Sequence, residues 1–241
     1  MYPNDEEAWK TKAEALENME KYDEAINAYD KAIEINPKDA DVWDSKGFIF
    51  VDYLNKSDEA VKCFDRAIEI DPKDESALNA KGDTLDNLGK YNESIKCFDK
   101  VIELDSEDTW ALKGKGRTLA HVGKFEDALK SIDTAIEIDS KSEFADDGWY
   151  QKGLVLNETG KYEEAIKAFD KAIEITQNRP SASINGWYWY YKGTALKALG
   201  RTTEADAAFA KAKELGYSSC FILLGKHQPA SPTTITGRGQ G

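Results

Sequence analysis

The 241-residue sequence predicts an all-α fold, an α-solenoid of six helix-turn-helix units, on three observations. One pattern recurs along the chain: "YDEAINAYDKAIEINPKD", "SDEAVKCFDRAIEIDPKD", "YNESIKCFDKVIELDSED", "FEDALKSIDTAIEIDSKS", "YEEAIKAFDKAIEITQNR" and a more divergent "TTEADAAFAKAKELGYSS". A small residue precedes each copy, at Ala13, Gly47, Gly82, Gly116, Gly153 and Gly193. Their spacing of about 34–40 residues is that of a helix-turn-helix repeat. Apolar residues keep a period near 3.6, and no segment alternates as a strand would.

The units are expected at 6–39, 40–74, 75–108, 109–142, 146–179 and 186–219. In the first helix of a unit, Trp43, Gly47 and Phe50 recur at helical spacing, as do Leu78, Gly82 and Leu85. In the second, Ala60, Phe64 and Ala67 are four and three apart and share one face. The turn between the two helices reads "NLGKY" or "ETGKY", where Gly89 or Gly160 can adopt the left-handed C-cap conformation. Between units, "NPKD" and "DPKD" stop one helix at Pro and offer Asp39 or Asp74 as the N-cap of the next. Single, triple and sixfold insertions near Lys56, at 143–145 and at 180–185 predict looser stacking after the fourth unit.

The sixfold insertion leads into "INGWYWYYKG", where five aromatic residues in a row go all the way round a helix. Asn185 or a residue just before it should cap a helix reaching about Leu199. Trp189 falls in a core column, and Tyr188 replaces the small Ala8, Ala77 and Ala111 facing the previous unit. After the sixth unit, residues 220–225 are expected to cap the array, Phe221, Ile222 and Leu223 packing near Phe209. Residues 226–241 have the composition of a disordered tail or vector remnant.

These columns resemble the tetratricopeptide repeat (TPR) family over roughly 5–219. The large first-helix column is Trp9, Trp43, Leu78, Leu112, Trp149 and Trp189. The second-helix aromatic column is Tyr29, Phe64, Phe98, Ile132, Phe169 and Phe209. Two small columns, one starting at Ala25 and the other at Ala32, run alongside. The sequence departs from the family where Leu usually precedes the small residue, carrying Lys12, Lys46, Lys81, Lys115, Lys152 and Lys192. Their stems should pack while their heads reach water or a partner.

The resemblance implies a right-handed solenoid whose first helices line a concave side that holds a peptide or a partner protein. On that geometry the inward, partner-binding residues are Asp41, Asp44, Asp83, Asp86, Trp110, Lys113, Arg117, Tyr150, Trp187 and Tyr190. Glu14, Glu17 and Asp52 extend the acidic end. The N-terminal half of the face is acidic, and the C-terminal half is aromatic with scattered basic groups. The family's carboxylate clamp is not reproduced, because beyond Lys10 the matching places hold Glu14, Ser45, Ser76 and Ala80.

A net charge of −13 argues against general nucleic-acid binding and for basic partners. No apolar run reaches the length of a membrane helix, and "MYPNDEEAWK" lacks signal-peptide character. Cys63, Cys97 and Cys220 form no CxxC pair and read as reduced thiols in a cytoplasmic protein. With two histidines, His121 and His227, no metal-ligand spacing or nucleophile-base motif is present. "GKGRT" falls short of a phosphate loop and is explained by the repeat. A non-catalytic protein-interaction scaffold without cofactor is therefore expected, its partner carrying basic and apolar residues. The alternative is a structural, self-associating module or a regulatory fragment of a larger protein.

Overall fold

A computed structural model describes residues 5–140, 145–177 and 182–217. Among these residues the chain forms twelve α-helices and no strand. Units one to three are α1 (Glu6–Asn18) with α2 (Tyr22–Ile35), α3 (Ala40–Asp52) with α4 (Ser57–Ile70), and α5 (Glu75–Asn87) with α6 (Tyr91–Leu104). Units four to six are α7 (Thr109–His121) with α8 (Phe125–Asp139), α9 (Ala145–Glu158) with α10 (Tyr162–Thr176), and α11 (Ala182–Ala198) with α12 (Thr202–Glu214). The two helices of each unit pack on one another, and the second helix of each unit but the last packs on the first helix of the next, which is the layout of an α-solenoid.

Local chemistry accounts for the helix ends. Asp5, Asp39, Asp74 and Asp108 sit in extended conformation before the first four odd helices. Each carboxylate accepts the N–H three residues on, from Ala8, Val42, Ala77 and Ala111 at 2.7–3.4 Å. Within units three to six, Gly89, Gly123, Gly160 and Gly200 take φ of 74–77°, the left-handed turn that glycine adopts without strain. Units one and two place Glu20 (φ 59°) and Asn55 (φ 52°) there instead. A Cβ in this region is costly, more so for Glu than for Asn. Glu20→Gly should therefore raise stability by about 0.5–1 kcal/mol, after the larger unfolded-state entropy of glycine is deducted. Urea denaturation checks this, and a loss of stability would show that Glu20 makes a compensating contact.

The core runs as a column of second-helix rings set into first-helix glycines. Phe64, Phe98, Ile132 and Phe169 are fully buried. Phe98 meets glycines of two helices: a Cβ at Gly82 would lie 2.8 Å from its ring, and one at Gly114, in the next unit, 2.5 Å. Gly114 lets α7 approach α6 this closely.

The lysine column is paired. Lys46, Lys81, Lys115, Lys152 and Lys192 reach back to Asp30, Asp65, Asp99, Asp133 and Asp170 on the second helix of the preceding unit, at 2.5–2.7 Å. Lys12, in the first unit, instead lies over the Trp9 ring at 4.7 Å. Each rung, half open to water, contributes at most about 1 kcal/mol. Repetition of the same geometry five times helps fix how each unit sits on the last.

The insertion before the aromatic run is absorbed differently from the expectation. Helix α11 has 17 residues and begins at Ala182, so Asn185 lies inside it and does not cap it. Extra residues there lengthen the helix instead of lengthening a loop. The expected cap at 220–225, with Phe221, Ile222 and Leu223, lies outside the described residues, as do Cys220, His227 and the tail at 226–241.

Candidate functional site

Successive odd-numbered helices from α3 to α11 touch one another, whereas the even-numbered ones do not pack together in this way. The odd helices therefore lie on the inside of the array's curvature. Their inner residues form one continuous face with three chemically distinct parts.

The first part is acidic. Lys10 is held by Asp39 at 2.8 Å and Glu7 at 3.8 Å. Asp41 is exposed and has no ion-pair partner. Asp44 accepts a hydrogen bond from the Ser76 hydroxyl at 3.0 Å through Oδ2, while its Oδ1 is buried without a partner. Burial pushes the Asp44 pKa up to about 7; Asp74 and Asp41 add to the rise, and Ser76 opposes it.

The second part is a fixed network between units three and four. Arg117 donates to Asp83 at 2.5 Å through Nη2 and to Asp86 at 2.9 Å through Nε. Trp110 Nε1 donates to the other Asp83 oxygen at 2.8 Å, and His121 Nδ1 lies 3.0 Å from Asp86. Burial alone would raise the Asp86 pKa, but the His121 and Arg117 contacts outweigh it and hold the carboxyl below its usual range. Trp110 remains 44% exposed, the most open tryptophan of this face.

The third part is aromatic. Tyr150 stands 5.0 Å from Tyr188, 5.8 Å from Tyr191 and 6.2 Å from Phe169, ring centre to ring centre. Tyr188 is buried, and its hydroxyl donates to Asp146 at 2.8 Å. Trp187 meets Tyr217 edge-on at 4.7 Å, and Tyr190 lies 4.5 Å from the same ring and 5.5 Å from Phe209. Trp187, Trp189 and Tyr190 are all partly buried, so Trp187 and Trp189 do not divide cleanly into surface and core.

Three of the residues expected to meet a partner are buried, and the expectation is corrected for them. Asp86 is consumed by Arg117 and His121, and Lys113 lies between Asp139 at 3.5 Å and Asp147 at 3.6 Å. Tyr150 is covered because Tyr188, where units one, three and four carry alanine, brings a large ring against it. Asp41, Asp44, Asp83, Trp110, Arg117, Trp187 and Tyr190 keep some exposure. Sequence reasoning missed the Tyr188–Asp146 bond and the aspartates of the lysine rungs. The latter were visible as a column one residue after the aromatic one, from Asp30 to Asp170.

Among the described residues, no group of three or more His, Cys, Asp or Glu side chains is arranged to hold a metal ion. No helix there is long and apolar enough to cross a membrane. Cys63 and Cys97 are free and buried, and burial pushes the Cys63 thiol up to about 11, away from the reactive thiolate.

An array of stacked helix-turn-helix units is an α-solenoid of the repeat-protein class. Two models described as tetratricopeptide repeat match it, one over 6–39 and 147–178, the other over 40–74, 75–108 and 188–215. The chain belongs to the tetratricopeptide repeat family. No curated protein matches it in sequence. Among solved structures it is similar to PilW, a type IV pilus biogenesis factor, at 20% identity and a TM-score of 0.75, covering 91% of this chain and 97% of that one. A tetratricopeptide repeat protein from Parabacteroides merdae follows at 18% identity and a TM-score of 0.72, covering 92% and 83%. YrrB, described as a TPR protein with an unusual peptide-binding site, has 23% identity and a TM-score of 0.62, covering 83% and 94%. At these identities the likeness concerns the fold.

Proposed function

We propose that the protein is a non-catalytic scaffold that binds a peptide or partner protein along its inner face. The observation that carries the reading is one continuous surface on which Asp41 and Asp44, without basic partners, lead to a Trp110 that is 44% exposed. Basic residues of the partner meet the acidic end, and apolar residues meet Trp110, then Trp187 and Tyr190. Asp83 and Arg117 border this path, already tied to each other. Affinity comes mostly from the aromatic anchors, with the carboxylates setting orientation and association rate. The reading includes a cytoplasmic setting, supported by the free thiols of Cys63 and Cys97.

The test is selection from a library of displayed random peptides on the full chain. Recovered peptides should combine basic with aromatic or aliphatic residues and weaken as salt rises. Trp110→Ala should weaken them by about tenfold or more. Because the Asp44 carboxyl ionises near pH 7, a basic peptide should bind more tightly at pH 8 than at pH 6. Asp44→Asn should remove that dependence. Peptides without basic residues, or binding indifferent to Trp110→Ala, would reject the reading. A structural role in self-association would instead appear as a concentration-dependent mass in sedimentation.

A further inference from the structure

At the edge formed by the turns of units one and two, beside the acidic end of the inner face, two tyrosines stack across the unit boundary. Tyr22 at the start of α2 and Tyr53 at the end of α3 lie 4.0 Å apart at an interplanar angle of 10°. Tyr53 is 48% exposed, whereas Tyr22 is half-buried against the core of units one and two; Met19, in the turn that leads into Tyr22, is 63% exposed. Equivalent turns later in the array carry Leu88, Val122, Thr159 and Leu199 in place of Met19 and Tyr53. A stacked aromatic pair with one ring, Tyr53, open to water is a surface for a planar or cationic group.

The charges around the pair are of one sign. Glu17, Glu20 and Asp52 lie close enough to raise the Tyr53 phenol, after burial and Tyr22. Glu20 and Glu17 act on Tyr22 in the same way, again after burial. Among the described residues none of these three carboxylates has an ion-pair partner; there Glu17 meets only the Tyr29 hydroxyl, at 3.4 Å. The nearby basic side chains are engaged elsewhere, Lys21 with Glu24 at 3.2 Å and Lys56 over the Phe50 ring at 5.8 Å. Aromatic faces rimmed by uncompensated carboxylates match a guanidinium, which stacks on rings and pairs with carboxylates at once.

We propose that the Tyr22–Tyr53 stack, rimmed by Glu17, Glu20 and Asp52, is a second docking surface that takes an arginine-bearing segment of a partner protein. It shares Glu17 and Asp52 with the acidic end of the inner face but does not depend on binding at Trp110. A second copy of this chain is a poor occupant, because its net charge of −13 repels the same rim.

Only two methionines are present, Met1 and Met19, so methyl-labelled methionine gives a direct reporter in the full chain. The probe is a capped peptide of four Arg-Ala repeats. The Met19 methyl signal should shift and saturate with the wild type and with Tyr53→Phe. With Tyr53→Ala, which keeps every charge, affinity should fall about two- to fivefold. Trp110→Ala should leave the Met19 titration unchanged, so failure here and failure of inner-face binding are told apart. Should Tyr53→Ala not fold, the double variant Glu20→Gln, Asp52→Asn retains both rings and should lose affinity to a similar extent. The proposal is overturned if Met19 is silent while the peptide binds, or if Tyr53→Ala binds as tightly as wild type. A Met19 response abolished by Trp110→Ala would overturn it equally.

Discussion

Replacing Arg117 by alanine should destabilise the protein by about 3 kcal/mol at neutral pH, because it strands a buried carboxylate. The Asp86 side chain is 2% exposed and relies on Arg117 and His121 for its charge, while Asp83 loses one of two donors. In the wild type the Asp86 pKa is depressed on folding. Its contribution is therefore complete above the unfolded value near 4 and is lost only as pH falls through the lower folded value. In Arg117→Ala burial is less opposed, so the carboxyl takes up a proton more readily in the folded state. The deficit should then be greatest at pH 7–8 and shrink toward pH 4.5. Urea denaturation of both proteins across that range checks this. An equal deficit at both ends would mean that packing of the Arg117 stem, not charge, is what was lost.

Phe98→Ala should cost about 3–5 kcal/mol and separate units three and four. The ring is fully buried and serves two first helices at once, filling the space that Gly82 and Gly114 leave. Neither glycine can move in to close the cavity without dragging its helix. The thermal transition should fall and broaden, as expected when a solenoid loses one interface and its ends melt separately. A single sharp transition shifted by less than about 1 kcal/mol would show that α7 collapses onto α6 and repacks.

Most of the fold was legible because a repeat states the same answer several times. The small column at Gly47 and Gly82, the ring column at Phe64 and Phe98 and the capping Asp39 and Asp74 each reappear in register, so a local error in one unit is outvoted. The site was legible only as a face. The family resemblance implied that Arg117 faces inward, yet a sequence pattern alone does not say whether an inward charge awaits a partner or already has one. The signal was present one unit back: Asp83 and Arg117 are 34 residues apart, in the same column and of opposite sign. Tyr150 was misjudged for a different reason. Its position is covered from the next unit by the rings of Tyr188, 5.0 Å away, and Tyr191, 5.8 Å away. The start of α11 was missed because an insertion rich in polar residues reads as a loop, whereas here it extends a helix to 17 residues.

The central claim, that the odd-numbered helices form the binding face, is tested most directly by amide hydrogen exchange with and without a peptide recovered by selection. Protection on binding should concentrate on α3, α5, α7 and the part of α11 carrying Trp187 and Tyr190, leaving α4, α6, α8 and α10 unchanged. Protection confined to those even-numbered helices would contradict the account.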